Sequence, residues 1–107
     1  MTTPRIEQLL SFLPLRPDDP FVVYALAIEY KNAVRLDDAL RYFSEVHTRF
    51  PDYVPNYLHF GGLLTERGET AEARRILEQG MTKARSAGDG HALSELAEAL
   101  DLLEAAP

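Results

Sequence analysis

The chain has no cysteine and no tryptophan. Without cysteine there are no disulfides, no thiolate metal sites and no cysteine nucleophile. That composition fits a reducing compartment, and the expected location is cytoplasmic. No apolar run approaches the roughly 18 residues of a membrane-spanning helix. The opening MTTPRIEQLLSFLPLRP lacks a basic stretch followed by a long apolar one, so no signal peptide is expected. Lysine and arginine are missing from Ser86 to Pro107, where Asp89, Glu95, Glu98, Asp101 and Glu104 stand. Those five acids carry −5 of the net charge of −6. An acidic chain with an acidic end is a poor ligand for nucleic acid or anionic membrane, and neither is expected as a partner.

What is present is helical punctuation. Pro, Gly and Asp cluster near 17–20, 51–55, 68–70 and 88–90. Between the clusters apolar residues recur with a period of about 3.6, and strict alternation is nowhere clean. Thr3-Pro4 and Asp19-Pro20 each set a capping residue before a proline at the first helical position. Asp52 and Thr70 are further candidate N-caps, and Gly68 and Gly88 suit left-handed positions past helix ends. The spacing predicts six helices, at 4–13, 19–33, 36–49, 53–67, 70–86 and 90–104, and no strand. At 107 residues this is one domain, able to bury roughly two thirds of its unfolded surface without metal or covalent staples.

A shift of 34 residues superposes parts of the chain on one another. Val23, Leu26, Ala27 and Tyr30 land on Tyr57, Phe60, Gly61 and Leu64. Ala39 lands on Ala73, Phe43 on Leu77 and Val46 on Gly80. Backwards, Phe43, Val46 and Pro51 land on Leu9, Phe12 and Pro17. The first two sets are i, i+3, i+4, i+7 series, one buried face of a helix. Small residues at 27, 39, 61 and 73 let two helices approach closely, while the large neighbours fill the space beside them. The repeating unit is a close-packed helical hairpin.

This pattern resembles the tetratricopeptide repeat, whose 34-residue unit carries a large residue, Leu, Gly and Tyr on its first helix. Ala, Phe, Ala and a closing Pro follow on the second. One copy reads Val23, Leu26, Ala27, Tyr30, Ala39, Phe43, Val46, Pro51. The next reads Tyr57, Phe60, Gly61, Leu64, Gly68, Ala73, Leu77, Gly80. Val23 stands where Trp is usual, Val34 where Gly is, and Arg85 where Pro is. The resemblance implies an all-α, right-handed helical-hairpin solenoid of six helices: a half-repeat at 4–17, repeats at 20–53 and 54–87, and a capping helix at 88–104. The cap fits at a shift of 36. At 34, Glu95 and Glu98 would enter the core; at 36, Leu93, Leu96, Ala97 and Leu100 fall on Tyr57, Phe60, Gly61 and Leu64. The fifth helix is therefore expected to run about half a turn longer. Glu95, Glu98, Asp101 and Glu104 then point outward, as the last helix of a repeat array requires for solubility.

No residue pattern suggests catalysis. His47, His59 and His91 have no i, i+4 partner among themselves, and neither HExxH nor GxSxG occurs. His47 is expected on a half-buried helix flank. Asp37-Asp38 opens a helix, where negative charge complements the dipole. Phe60-Gly61-Gly62 is too short for a phosphate loop. Neither an enzyme, a metal site nor a cofactor is expected.

The resemblance also implies a peptide-binding groove. By register it would comprise Phe21, Tyr24, Ile28, Lys31 and Asn32, then Pro55, Leu58, Gly62, Thr65 and Glu66, then His91, Ser94 and Glu98. Phe21 and Tyr24 could instead pack as core beneath the N-terminal helix. Some repeats of this family clamp a chaperone's terminal carboxylate with Lys, Arg and Asn; here those places hold Tyr24, Ile28, Leu58 and Gly62. A chaperone-tail adaptor is therefore not expected. The surface suits an extended apolar segment or an amphipathic helix, with basic residues meeting Glu66 and Glu98. The implied function is a non-catalytic adaptor that binds protein, with self-assembly through the same apolar surface as the alternative.

Overall fold

The computed structural model describes residues 2–105. Among them lie six α-helices, a single 3-10 turn at Leu13–Leu15, and no strand. The helices are α1 (Pro4–Phe12), α2 (Pro20–Asn32), α3 (Leu36–Arg49), α4 (Pro55–Glu66), α5 (Thr70–Ser86) and α6 (Gly90–Ala105). The chain divides into two compact units, one ending at Pro51 and one beginning at Asp52.

The helix starts follow local chemistry. The Ile6 N–H donates to Thr3 Oγ1 at 3.1 Å, and the Phe21 N–H donates to Asp19 Oδ1 at 3.0 Å. Each satisfies one of the N–H groups that a helix start leaves without an intrahelical acceptor. The other two expected caps are corrected. Val54 precedes α4 without a side-chain cap, and the Asp52 carboxylate instead meets Lys83 Nζ at 2.9 Å. Glu69 rather than Thr70 precedes α5, because the Glu69 carbonyl already accepts the N–H of Ala73.

Three connections share one form. At the end of α2, Val34 N–H bonds to Lys31 O and Arg35 N–H to Tyr30 O. Gly68 and Glu69 repeat this on Thr65 and Leu64, and Gly88 and Asp89 on Arg85 and Ala84. This paired closure needs a left-handed residue at its centre. Gly68 and Gly88 supply it with φ of 79° and 69°, and Val34 is forced to φ 59°.

In the first unit α1 rests on α2, burying Ile6 and Leu9, and Arg5 pairs with Glu29 at 2.5 Å. The α2 helix buries residues around most of its circumference: Val22, Val23, Ala25, Leu26, Ala27 and Tyr30. The α3 helix is one-sided, burying Ala39, Tyr42, Phe43 and Val46 and leaving Asp37, Arg41 and Arg49 exposed. Tyr30 stacks on Tyr42 with centroids 5.5 Å apart; Arg35 and Arg41 lie over the two rings at 5.2 and 4.8 Å.

In the second unit α4 packs on α5, and α6 packs on both. Here the interior is closed with glycine. A Cβ at Gly61 would lie 2.5 Å from Leu77 Cδ2, and one at Gly80 would lie 2.5 Å from Tyr57 Cβ. The α5 helix has 17 residues against 14 in α3, close to a full turn longer rather than half a turn. On α6, Leu96 and Leu103 are buried, while Leu93, Ala97 and Leu100 are only half-buried.

Candidate functional site

The register positions named for the groove fall on two separate units. Phe21, Tyr24, Ile28, Lys31 and Asn32 are on α2 in the first. Phe21 is 55% exposed, which removes it from the core, while Tyr24, Ile28 and Lys31 are half-buried and Asn32 is exposed. The crowding of α2 explains this: its buried positions already occupy most of the circumference, and position 21 is left over.

The second unit brings several of the remaining residues together. Pro55, Leu58, Gly62, Thr65 and Glu66 all lie on α4. Leu58 lines a hollow of about 340 Å³ between α4 and α6, with Val54, Pro55 and His59 on one side. Asp89, His91, Ala92, Glu95 and Leu96 close the other side. A second hollow of about 220 Å³ adjoins it and shares Leu58 and Glu95, adding Glu98, Ala99 and Leu102. Leu58 and Glu98 thus line one surface. Gly62, Thr65 and Glu66 line neither hollow, and a Cβ at Gly62 would meet nothing within 4 Å. Thr65 turns its hydroxyl back onto the Gly61 carbonyl at 2.9 Å. Ser94 also lies outside both hollows.

Glu95 is exposed, as expected of the cap, and in that position it also rims both hollows and pairs with His91 Nε2 at 3.2 Å across one turn of α6. Asp89 also reaches the rim, where its Oδ1 accepts the Ala92 N–H at 3.0 Å and caps α6. Two rim residues, Asp89 and Glu95, lie outside the groove positions that the family register implies. The Gly-Asp-Gly turn flags Asp89 as a cap, but the periodicity of α6 gives Glu95 only a solvent-side position. Among the described residues, no group of three or more His, Cys, Asp or Glu is placed to hold a metal ion, and no helix is long and apolar enough to cross a membrane.

Antiparallel hairpins recurring at 34 residues, each closed on small side chains, define an all-α helical repeat protein. A family model described as the tetratricopeptide repeat matches residues 33–95, more than half of the chain. The crystal structure of a tetratricopeptide repeat domain protein from Salinibacter ruber is 37% identical, with a TM-score of 0.80, covering 83% of this chain and 99% of that one. A solution structure of a tetratricopeptide repeat domain protein from the same organism is 39% identical, with a TM-score of 0.78, covering 82% and 89%. A Bordetella parapertussis protein solved in solution is 27% identical, with a TM-score of 0.80, covering 97% and 90%. No curated protein matches. The chain belongs to the tetratricopeptide repeat family, whose fold generally mediates protein–protein interaction.

Proposed function

We propose that this chain is a non-catalytic interaction module, working in the cytoplasm, that binds a peptide or helix of a partner protein. The repeats run 20–53 and 54–87, with a half-repeat at 4–17 before them and a cap at 88–104 after them. The binding surface is carried by Phe21, Tyr24, Ile28, Lys31 and Asn32 on α2. In the second unit the proposed partner-binding residues are Leu58, Gly62, Thr65 and Glu66 on α4 and Glu98 on α6. The observation behind this reading is the open, largely apolar hollow at Leu58, which sits at a groove position of the family's register. Its size is at the lower end of the roughly 300–1,000 Å³ typical of ligand pockets.

The test is affinity capture from lysate with wild type beside a Tyr24→Ala, Leu58→Ala double variant, both first shown to be equally helical and equally stable. A protein retained by wild type and lost by the variant is the expected result. Identical captures would remove the groove.

Self-association is the second reading, favoured by one observation. Leu102 on α6 is 68% exposed and continues the apolar strip of Leu58 and Ala99. A solution mass that rises with concentration and reverts to monomer in Leu102→Ser would select it.

A further inference from the structure

We propose that the hollow between α4 and α6 is an anchor socket for one long cationic side chain, arginine or lysine, of the partner peptide. This rests on the interaction-module reading and names the chemistry that reading leaves open. The socket lies wholly within the second unit.

Volume comes first. About 340 Å³ accommodates one or two side chains rather than a helix. The walls are the aliphatic Leu58, Leu96, Val54 and Ala92, so an inserted side chain needs an apolar stem.

Charge decides the head group. Asp89 and Glu95 stand on the rim, Glu98 joins Glu95 in the adjacent hollow, and no Lys or Arg lines either hollow. Opposing them are the start of α6 and, when protonated, the lining imidazoles His59 and His91. The start of α6 presents roughly half a unit of positive charge. Asp89 already meets that charge through its hydrogen bond with the Ala92 N–H. His91 holds Glu95 at the rim, 3.2 Å away.

Alternatives fit less well. An acidic side chain would meet two carboxylates of its own sign. A purely apolar one would strip water from Asp89 and Glu95 and add no partner beyond the Ala92 N–H and His91 they already meet, which is unfavourable. Arginine and lysine lay their methylenes along apolar walls and carry their charge to the rim. The occupant is thus opposite in sign to the carboxylate that some members of this family clamp.

Random linear peptides selected against the full chain provide the test, with affinities then read by fluorescence anisotropy. The variants are Leu58→Ala and the doubly neutral Asp89→Asn, Glu95→Gln, in which Asn retains a capping oxygen. Enriched peptides should share an arginine or lysine between apolar residues. Their affinity should fall about tenfold on the neutral variant, as expected for lost charge-assisted hydrogen bonds, with unchanged helicity. Citrulline in place of arginine should cost a similar factor. Peptides that lack basic residues, and that weaken with Leu58→Ala but not with the neutral variant, would overturn the socket and leave the module reading standing. No enrichment over bare support would overturn both. A dimer that Leu58→Ala dissociates would show a second copy covering the socket and would also overturn the proposal.

Discussion

Positions 23 and 46 of the first hairpin are both valine and both fully buried. The equivalent places of the second hold Tyr57 and Gly80, also buried, and there the ring begins against the bare glycine backbone. The neighbouring pair does not trade volume: Ala27 and Phe43 in one hairpin become Gly61 and Leu77 in the other, both smaller. At the first pair one backbone plan accepts two ways of sharing volume between facing helices, because close packing constrains the sum more tightly than either member. The even split leaves room for a Cβ on both helices. The uneven split uses a large aromatic and leaves none.

Gly80→Ala should therefore give the largest effect. Its Cβ would meet the root of Tyr57, which moves only with its backbone, and Leu96 Cδ2 stands 3.1 Å away. Overpacking should destabilise the second unit by about 2 kcal/mol even after the better helix propensity of alanine. At Gly61 the clash is with Leu77 Cδ2 and Cγ, at 2.5 and 2.8 Å, atoms that shift by side-chain rotation rather than by moving the backbone. Gly61→Ala should stay within about 1 kcal/mol of wild type, since overpacking and propensity nearly offset. Denaturant midpoints decide, and equal losses at the two glycines would break the comparison. A sharper form transplants the even split: Tyr57→Val should recover at least about 0.5 kcal/mol of what Gly80→Val loses.

Next in size is the turn. Val34 and Gly68 occupy the same place in the two hairpins, and only glycine adopts positive φ without strain. Val34 is 77% exposed, so no packing compensates it. Val34→Gly should stabilise the first unit by about 1 kcal/mol, the usual cost of a left-handed L-residue less the added freedom of glycine when unfolded. An unchanged thermal midpoint would show that the Arg35–Tyr30 contact, at 5.2 Å, holds the turn regardless of residue.

The smallest effect is alkaline. Burial pushes the hydroxyl of Tyr42 above its usual 10.0, against the pull of Arg41, and does the same to Tyr57 against Lys83. Above pH 10 the unfolded chain gives up these protons first, so the native state binds more protons and stability falls as pH rises. Tyr42→Phe and Tyr57→Phe should each flatten that decline, measured as denaturation midpoint against pH between 9 and about 11.

The fold was largely legible from residue pattern. Recurrence at 34 residues located the hairpins, and Gly68 and Gly88 marked turns through the backbone freedom that a missing Cβ allows. Thr3 and Asp19 were readable as caps because proline follows each. Asp52 was not, since its carboxylate is claimed by Lys83, 31 residues away in sequence. The site was less legible. Leu58 and Glu98 were placed by register and do line one hollow, but that Glu95 and Asp89 border the hollows beside Leu58 depends on how α6 packs on α4, which no period specifies.

The amino-acid sequence alone determined which segments are helical, where they stop and which face of each is buried. Those properties arise from neighbours within a few turns, through hydrogen-bond closure and amphipathic spacing. Tertiary structure decided the split of volume between Tyr57 and Gly80, the exposure of Phe21, and the meeting of Leu58 with Asp89 and Glu95. Those depend on contacts between distant residues, whose distances are set only once the helices have packed.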